Sequence, residues 1–498
     1  MVSLPPGARL IPSKWVYSHK PTSGIYKARF VARGDKQRPG EDFTDTFASV
    51  VRPETFWALM ALITSSDLEA KSFDIVTTFL YALMKGQPPI YVKPPPGYEE
   101  YDSEGRLLVL LLLKALYGLR QSPRLWYQEI IAYLASFDFL PLPFDPCVLR
   151  HTHGDVLILW VNDIITISSM LLGIDHMEGV LQSKYEVRQM GELTEYLGLS
   201  INRDRKQGLV FLAQGVYTRK ILTQSHLDNC ISLSAPSTGS DNLTPSPTDA
   251  KPDDRHLFQA MVGSLMYLTV WTRPDIAERC AHLGQFAHNP AQEHHSSIRN
   301  VFAYVKGTPD LALRYQQEPN LGLEVHSLNF IGYSHASYAD NVEDRKSTSG
   351  YLFKFGGGAI SWKSHKQPII ATSLTEAESV TYSIACKEAI WLRALLQELH
   401  VQTPNIQMVT ILYGDNKPAL ALTVNPEHHK KTKHIEVQWH YVREQVHRGV
   451  VTLKYLSTDD MPADGLTKPL TGICFTRFVK LLGMETAPSP VTTTLGVA

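Results

Sequence analysis

The sequence predicts a multidomain protein of the α/β and α+β classes. Its 498 residues are enough for about three domains of ordinary size. Strand-like and helix-like runs alternate from Trp15 to about Asp204, which is typical of these classes. A segment rich in Ser, Thr, Pro and Asp follows, and beyond it lie a mainly helical stretch and a second region of strands and helices. We therefore expect separate structured regions joined by a linker.

The N-terminal region supplies the first elements. The runs "KWVYSHK" and "IYKARFVARG" predict strands, and "SPRLWYQEIIAYLASF" predicts a helix. The run "DVLILWVNDIITIS" has the apolar character of a buried strand, but Asn162 and Asp163 interrupt it. The linker is the segment Ser237–Asp254, which lacks aromatic residues.

The C-terminal region supplies the remaining elements. Apolar spacing predicts helices from about Leu257 to Arg314, and strand-like runs on both sides of a Gly-Gly-Gly turn predict a hairpin. The segment Thr375–Leu399 has helical periodicity, and "VTILYGDN" is typical of a strand that ends in an acid. The final residues, "APSPVTTTLGVA", predict a disordered tail.

Charge is balanced over the whole chain but not along it. Lys and Arg number 48 against 49 Asp and Glu, for a formal net charge of −1. Within residues 1–40, however, eight basic residues accompany a single acid. Such a basic segment is a candidate face for contacting phosphates, with an ordinary solvated surface as the alternative.

Cysteine usage and hydropathy bear on the compartment. The five cysteines are scattered and form no CxxC pair, which favours neither a disulfide framework nor a zinc knuckle. The longest aliphatic run, Leu107–Leu113, is far shorter than the roughly 18 residues of a membrane span. The N-terminus lacks the layout of a signal peptide. We expect an intracellular protein, cytoplasmic or nuclear.

Acids at the ends of hydrophobic strands are the candidates for phosphodiester chemistry. Such chemistry uses two Mg²⁺ ions roughly 4 Å apart, and Mg²⁺ prefers carboxylate oxygens. Asp74 in "KSFDIVTTFLYA" and Asp163 both fit this description. Taken singly, each is more often a turn residue or a structural group.

Ordered motifs around these acids change that balance. The N-terminal series "YKARFVARGDKQRPGEDFTDTFASVVRPET", "FDIVTTFLYALMKG", "LLKALYGLRQSPRLWYQEI" and "VLILWVNDIITIS" resembles the reverse transcriptase of copia-type LTR retrotransposons. The later series "DRKSTSGYLFKFGGGAISWKSHKQ", "SLTEAES", "LYGDNKPALAL" and "PADGLTKPL" resembles the connecting region and RNase H domain of the same Pol polyproteins. The resemblance extends from Leu4 to about Gly483.

The resemblance implies the domain organisation. It consists of right-hand polymerase fingers and palm at 8–236, a linker at 237–256, a helical thumb or connecting segment at 257–325, an RNase H-like α/β domain at 326–483 and the tail at 484–498. It implies an RNA-directed DNA polymerase and ribonuclease H that uses Mg²⁺, with Mn²⁺ as an alternative. The implied ligands are a template-primer, an RNA–DNA hybrid and dNTPs, without a membrane and with the oligomeric state left open. No stretch resembles the capsid, protease or integrase parts of a full polyprotein.

In the polymerase domain the resemblance implies that Asp74 and a hairpin at Trp160–Asp163 hold the metal ions. The family has tyrosine-valine-Asp-Asp at this hairpin, so Trp160 and Asn162 are substitutions. Asn offers a neutral carbonyl oxygen where an anion is expected to bind both metals. We therefore predict poor polymerisation, with Asp163 retained in a supporting role.

Basic and polar residues near this site are candidate nucleotide or nucleic-acid contacts. Lys27 and Arg29 lie where the family has basic residues near the incoming triphosphate, and their chemistry suits phosphate oxygens. Surface cations are the alternative. In "LYGLRQSP", Gly118 would allow close backbone approach, while Gln121 and Arg124 would contact nucleic acid. The alternative is a turn that leads into a helix.

In the C-terminal domain the resemblance implies four acids at the RNase H site. Glu378, Asp415 and Asp464 match three of them, and Glu378 fits the motif's register better than Glu376. The fourth position is His335, a poor Mg²⁺ ligand compared with a carboxylate. The family also has an acid at the position of Ser337, and we do not expect Asp340 to substitute.

The His-rich run "EHHKKTKH" has two interpretations. It lacks a paired Cys cluster or an HExxH frame, so a basic nucleic-acid loop is favoured over a zinc site. By resemblance, His434 lies near the RNase H site.

Three functional hypotheses follow. The first is an active enzyme that tolerates Asn162 and His335, and the second is a catalytically inactive nucleic-acid-binding remnant of a decayed element. The third is an RNase H-like nuclease with a polymerase domain that serves only as scaffold.

Overall fold

A computed structural model describes residues 1–20, 24–239, 243–246, 251–317, 330–399, 409–424 and 433–488. The chain divides into two compact units. The first contains Met1–Val51 and Glu69–Glu192, and the second contains Arg52–Leu68 and the chain from Leu193 onward. The domain boundary at 8–236 stays a prediction.

The described residues form both helices and strands. The α-helices are α1 (Pro53–Ser65), α2 (Ser122–Ala135), α3 (Leu171–Gln182), α4 (Gly215–Gln224), α5 (Pro252–Trp271), α6 (Ala277–Gly284), α7 (Gln292–Gly307), α8 (Leu374–Glu398), α9 (Lys417–Val424), α10 (Lys433–His447) and α11 (Gly472–Leu481). The strands of the first unit are β1 (Leu10–Ile11), β2 (Ser13–Lys20), β3 (Ile25–Ala32), β4 (Glu69–Ile75), β5 (Tyr91–Val92), β6 (Leu110–Leu111), β7 (Phe139–Leu142), β8 (Asp145–His151), β9 (Val156–Trp160), β10 (Asp163–Ser168) and β11 (Val187–Glu192). The strands of the second unit are β12 (Glu195–Tyr196), β13 (Leu199–Asp204), β14 (Leu209–Ala213), β15 (Leu311–Gln316), β16 (Ile331–Ser337), β17 (Thr348–Phe355), β18 (Gly358–Lys366), β19 (Thr410–Gly414), β20 (Val451–Tyr455) and β21 (Met484–Thr486).

The first unit is built on a six-stranded antiparallel sheet in the order β11-β4-β10-β9-β8-β7. Helices α2 and α3 contribute to its core, where Trp126, Ile164 and Met177 are buried. Burial of such side chains is the main favourable term in folding. Because β4 and β10 are interior strands of this sheet, the ends of both are held rigidly.

The hairpin between β9 and β10 has a two-residue turn, Val161 and Asn162, with Trp160 paired to Asp163. Val161 has a φ of 57°, whereas Asn162 is not among the residues with positive φ. A positive φ at the first turn residue alone is the pattern of a type II′ turn. This conformation is unusual for a β-branched residue. The Trp126 indole N–H donates to the Val161 carbonyl at 2.6 Å, which anchors the turn.

The second unit contains two five-stranded sheets, β12-β13-β14-β15-β21 and β18-β17-β16-β19-β20. In the latter, β16, β17 and β18 are antiparallel, while β19 and β20 run parallel to β16 and extend the sheet on its other side. Helix α8 contacts strands β16, β17 and β19 of this sheet. The arrangement is an RNase H-like α/β fold, as the sequence predicted.

Helix α1 also belongs to the second unit. Its residues from Thr55 to Thr64 are all buried, as expected of a helix that is apolar all round. The Trp57 ring packs against Trp362 with centroids 4.3 Å apart, and its N–H donates to the Trp271 carbonyl at 3.0 Å. These contacts explain why the helix separates from its sequence neighbours.

Three predicted segments differ in the structure. The helical stretch predicted to reach Arg314 ends at Gly307, and Leu311–Gln316 form β15. Helix α5 begins at Pro252, inside the predicted linker. Strand β21 lies in the predicted tail, where Met484–Thr486 pair with β15. In each case pairing or packing with distant residues prevails over local composition. None of the helices in the described part of the chain combines the length and apolar character needed to cross a bilayer.

Candidate active sites

Asp74 and Asp163 lie directly opposite each other on the neighbouring antiparallel strands β4 and β10. Residues in such a pair project to the same face of a sheet with their Cβ atoms about 5 Å apart. Asp163 is the first residue of β10, so the pair lies at the tip of the hairpin. The structure therefore brings together the two acids that the sequence singled out in this region.

Asn162 completes this group, which we call the palm cluster (Asp74, Asn162 and Asp163). Its side-chain N–H donates to Asp74 Oδ1, while Asp74 Oδ2 lies 3.6 Å from Nη1 of Arg188. The backbone N–H of Ile75 donates to the Asn162 carbonyl at 2.9 Å. One oxygen of the Asp74 carboxylate therefore accepts a hydrogen bond from the Asn162 amide. An acid at position 162 would instead face Asp74 across a shared cation.

The palm cluster has two carboxylates and a neighbouring cation, Arg188, so its negative charge is only partly neutralised. Burial and the nearby Asp74 carboxylate raise the pKa of Asp163 above its ordinary value. Like charges held at short range oppose ionisation in this way. Carboxylates in this state are suited to a divalent cation, whose charge would remove the repulsion.

Arg29 and Asp74 of the palm cluster have a common neighbour, Tyr117. The charges of both Arg29 and Asp74 act on the Tyr117 hydroxyl, whose pKa is raised mainly by burial. Lys27 is two residues from Arg29 on β3, so both side chains project from the same face of that strand. A role for Lys27 and Arg29 in binding triphosphate stays a prediction.

Gly118 makes a close backbone approach, but to another part of the protein. Its φ is +89°, and a Cβ built on it would lie 2.1 Å from the Ala32 carbonyl oxygen and 2.4 Å from Val31 Cγ1. The Ala32 N–H donates to the Tyr117 carbonyl at 2.9 Å. Gly118 therefore joins the segment before α2 to strand β3, a role that the nucleic-acid prediction did not include.

We expect Gly118→Ala to lower the free energy of unfolding by about 3 kcal/mol, because it adds steric overlap to an unfavourable φ. The matched control is Gly97→Ala, which has the same φ of +89° and nothing within 4 Å of its Cβ. The control should cost only about 1 kcal/mol. Denaturant unfolding of both variants measures the difference, and equal losses would contradict the role of the close approach.

Gln121 is bonded within the protein, so a nucleic-acid contact by its side chain stays a prediction. Its side chain is fully buried, accepts from Gln37 Nε2 at 2.9 Å and donates to the Asp42 carbonyl at 3.2 Å. A buried amide with both ends bonded is a structural group. Arg124 is half-buried and pairs with Asp45 at 2.8 Å, so its nucleic-acid role stays a prediction.

The second group, which we call the His335 cluster, contains His335, Glu378, Asp415 and Asp464. His335 Nδ1 lies 3.0 Å from Asp415 Oδ1 and 3.2 Å from Glu378 Oε1, and its Nε2 lies 3.3 Å from Asp464 Oδ1. His335 is near the end of β16 and Asp415 follows the adjacent parallel strand β19, so both lie at the same edge of the sheet. Glu378 comes from α8, and Asp464 comes from a 3₁₀ helix at Pro462–Leu466.

The imidazole and carboxylates of this cluster shift one another's ionisation. Burial alone would lower the pKa of His335, but hydrogen bonds to Asp415 and Glu378 raise it to about 10. Burial raises the pKa of Glu378, whereas the hydrogen bond from His335 brings that of Asp415 below its ordinary value. In the metal-free protein the ring is therefore a cation among carboxylates.

Two neighbouring acids, Glu376 and Asp340, bond to other residues. Glu376 accepts hydrogen bonds from the backbone and hydroxyl of Thr372, near the start of α8. Asp340 accepts from Thr348 at 2.8 Å. The His-rich run lies almost wholly outside the described residues, and nothing is described of the His434 side chain.

Sequence reasoning missed several residues that contact the two clusters. In the His335 cluster, Lys468 Nζ lies 2.7 Å from Asp464 Oδ1, and Thr458 donates to Asp415 Oδ2 at 2.7 Å. Lys468 follows Asp464 by four residues, a spacing that was available as a signal. Arg188 in the palm cluster had no such signal, because its proximity depends on the pairing of β11 with β4.

The chain is similar in sequence to a known protein family and to several curated proteins. Residues 1–238 match the protein family described as "Reverse transcriptase (RNA-dependent DNA polymerase)". The retrovirus-related Pol polyprotein from transposon TNT 1-94 of Nicotiana tabacum is 33% identical over 499 residues, covering 97% of this chain and 36% of that protein. The Pol polyprotein from transposon RE2 of Arabidopsis thaliana is 31% identical and covers 97% of this chain and 32% of that protein.

The chain thus spans about a third of the length of these curated relatives. Among solved structures, a foamy viral protease-reverse transcriptase in complex with an RNA/DNA hybrid is similar at 13% identity and a TM-score of 0.41. That similarity covers 90% of this chain and 50% of the viral chain.

Proposed function

We propose that this chain, whose residues 1–238 are a reverse transcriptase domain, is an RNA-directed DNA polymerase slowed by Asn162. The chain is related to the Pol polyproteins of copia-type retrotransposons, and this relationship supports the proposal. The observation that carries the proposal is the palm cluster. Asp74 and Asp163 face each other at a hairpin tip. Asn162, which directly precedes Asp163 and donates to Asp74, occupies the position where a third acid is expected.

The palm donor set fits a hard divalent cation. Mg²⁺ is commonly held by one or two carboxylates together with substrate phosphates, and Asp74 and Asp163 supply two carboxylates. Such a cation would activate the primer 3′-hydroxyl and neutralise charge on the leaving pyrophosphate. Reverse transcriptases use divalent metal ions, and we propose Mg²⁺, with Mn²⁺ as an alternative.

The chain's own residues have separate tasks in this proposal. Asp74 and Asp163 hold the cation, and Lys27 and Arg29 contact the triphosphate of the dNTP. Asn162 donates a hydrogen bond to Asp74. Its side chain can offer the cation only a neutral carbonyl oxygen, in place of a bridging anion. The partners are an RNA or DNA template-primer and an RNA–DNA hybrid. We propose an intracellular location, cytoplasmic or nuclear.

The His335 cluster does not fit the pair of Mg²⁺ ions that hybrid cleavage by the family's site requires. A ring nitrogen occupies the position of one acid and contacts the other three. Mg²⁺ prefers oxygen ligands in octahedral geometry. We therefore propose that Mg²⁺-dependent cleavage of hybrid RNA is impaired in this chain.

The alternative function is nucleic-acid binding without catalysis. The hydrogen bond from Asn162 to Asp74 favours it, because a carboxylate oxygen that accepts this bond is less available to a metal ion. Binding without catalysis predicts strong salt dependence of template-primer affinity and no nucleotide incorporation.

Primer extension on an RNA template, with Mg²⁺ or Mn²⁺ in separate reactions, tests the proposal. We expect slow but measurable extension that Asp74→Asn lowers by about 10-fold or more, because it removes one of two carboxylates. Asp138→Asn, a change of the same kind at an exposed turn residue outside the palm cluster, is the matched control. No incorporation at high enzyme concentration, together with intact template-primer binding, would exclude the polymerase and leave the alternative.

A further inference from the structure

The His335 cluster has the layout of a nitrogen-and-oxygen metal site, which differs from the all-oxygen site of the resemblance. Nδ1 of His335, a carboxylate oxygen of Glu378 and one of Asp415 all lie within 4.8 Å of one another. The contacts of Nδ1 with these oxygens are 3.0 and 3.2 Å. Ligand atoms around a tetrahedral Zn²⁺ lie roughly 3.3 Å apart, given bonds of about 2.0–2.2 Å. The two separations that involve Nδ1 are therefore close to those around a tetrahedral Zn²⁺.

The other ring nitrogen of His335 faces a carboxylate. His335 Nε2 lies 3.3 Å from Asp464 Oδ1, and Lys468 Nζ lies 2.7 Å from that same oxygen. Metal-ligating imidazoles commonly donate their second N–H to a carboxylate, which fixes the tautomer and leaves the first nitrogen free to coordinate. The 3.3 Å contact between Nε2 and Asp464 Oδ1 is an ion pair without hydrogen-bond geometry, so Asp464 acts on the ring by its charge and is not itself required as a ligand.

Hydrogen bonds from neighbouring residues also orient the carboxylates of Asp415 and Glu378. Asp415 Oδ2 accepts from the Thr458 hydroxyl at 2.7 Å, and Glu378 Oε1 accepts from the Ala336 N–H at 3.0 Å. Glu378 is only 1% exposed, yet its Oε2 has no hydrogen-bond partner among the described residues. A buried carboxylate oxygen without a partner is costly, and a bound cation would compensate for it.

We propose that His335, Glu378 and Asp415 bind a single transition-metal ion of the Zn²⁺ class in preference to Mg²⁺, with the charge of Asp464 acting on the imidazole. Imidazole suits Zn²⁺ and Co²⁺, whereas Mg²⁺ is selected by oxygen ligands. Three protein ligands leave a fourth position for water, as in catalytic zinc sites. The proposal does not depend on the polymerase activity proposed above, which belongs to the palm cluster.

Co²⁺ binding to the whole chain, stripped of metal by a chelator, tests this site. Titration should produce the visible absorption bands of four-coordinate Co²⁺ at one equivalent. Zn²⁺ should abolish these bands by displacement, and excess Mg²⁺ should leave them unchanged. Because the readout is spectroscopic, failure here is distinguishable from failure of primer extension.

His335→Gln should weaken Co²⁺ binding by at least about 100-fold, and Asp464→Asn by roughly 10- to 100-fold. The matched control is the double variant His428→Gln and His429→Gln, which alters the His-rich run and should leave the bands unchanged. His335→Asp provides a second test, because an all-oxygen site should let Mg²⁺ compete with Co²⁺. The proposal is overturned if no four-coordinate bands form, if His335→Gln retains them, or if only the control variant loses them.

Discussion

Replacing Asn162 with Asp is expected to raise Mg²⁺-dependent primer extension about 100-fold. The change removes an N–H donor from Asp74 and adds an anion beside it. A bound metal contributes several kcal/mol to stabilising transition-state charge, and about 1.4 kcal/mol corresponds to a tenfold change in rate. Asp and Asn have nearly the same size, so the type II′ turn should be preserved. The gain therefore reports on charge and coordination.

Two controls separate this explanation from others. Asn229→Asp adds the same charge at an exposed residue outside the palm cluster and should leave extension unchanged. Adding Asp74→Asn to the Asn162→Asp variant should remove most of the gain, since the two residues act on the same cation. If Asn162→Asp extends primers no faster than the parent chain, our account of the defect is wrong.

The same substitution should make the stability of the protein depend on metal. Without a divalent cation, three neighbouring carboxylates repel one another, so we expect a lower melting temperature for Asn162→Asp than for the parent chain. Mg²⁺ should recover this loss, because a ligand that binds only the folded state stabilises it. Thermal unfolding with and without Mg²⁺ checks the effect, and an equal response of both proteins would contradict it.

The second large effect is expected from His335→Asp, which should raise Mg²⁺-dependent cleavage of the RNA strand in a hybrid about 100-fold. The imidazole contacts three carboxylates, and an Asp would replace a cationic ring with a fourth carboxylate. Hard oxygen ligands would then surround the position where Mg²⁺ is required. Several kcal/mol of metal stabilisation again corresponds to an effect of this size.

A hybrid-cleavage assay on the single variants and on the Asn162→Asp plus His335→Asp double variant checks this prediction. Extension should respond only to residue 162 and cleavage only to residue 335, because the two clusters share no residue. His447→Asp, at an exposed histidine of α10, is the matched control. Cleavage that stays at background in both His335→Asp variants would contradict our explanation of the second site.

The sequence by itself predicted the reverse transcriptase domain and which acids lie together. Motif order predicted that Asp74 and Asp163 belong together, and they face each other across β4 and β10. It also favoured Glu378 over Glu376, and only Glu378 lies beside His335. These predictions were possible because the residues are tied to strands and helices whose local patterns are strong.

Tertiary structure alone decided what the substituted residues do. Nothing local to Asn162 shows that its amide donates to Asp74, or that both ring nitrogens of His335 face carboxylates. Gln121 is bonded to Gln37, 84 residues away, and so is buried. Such contacts are set by the packing of distant segments, which determines where a side chain points and how much water it retains. Residue type therefore predicted the candidate site, and packing determined the contacts and charge of its side chains.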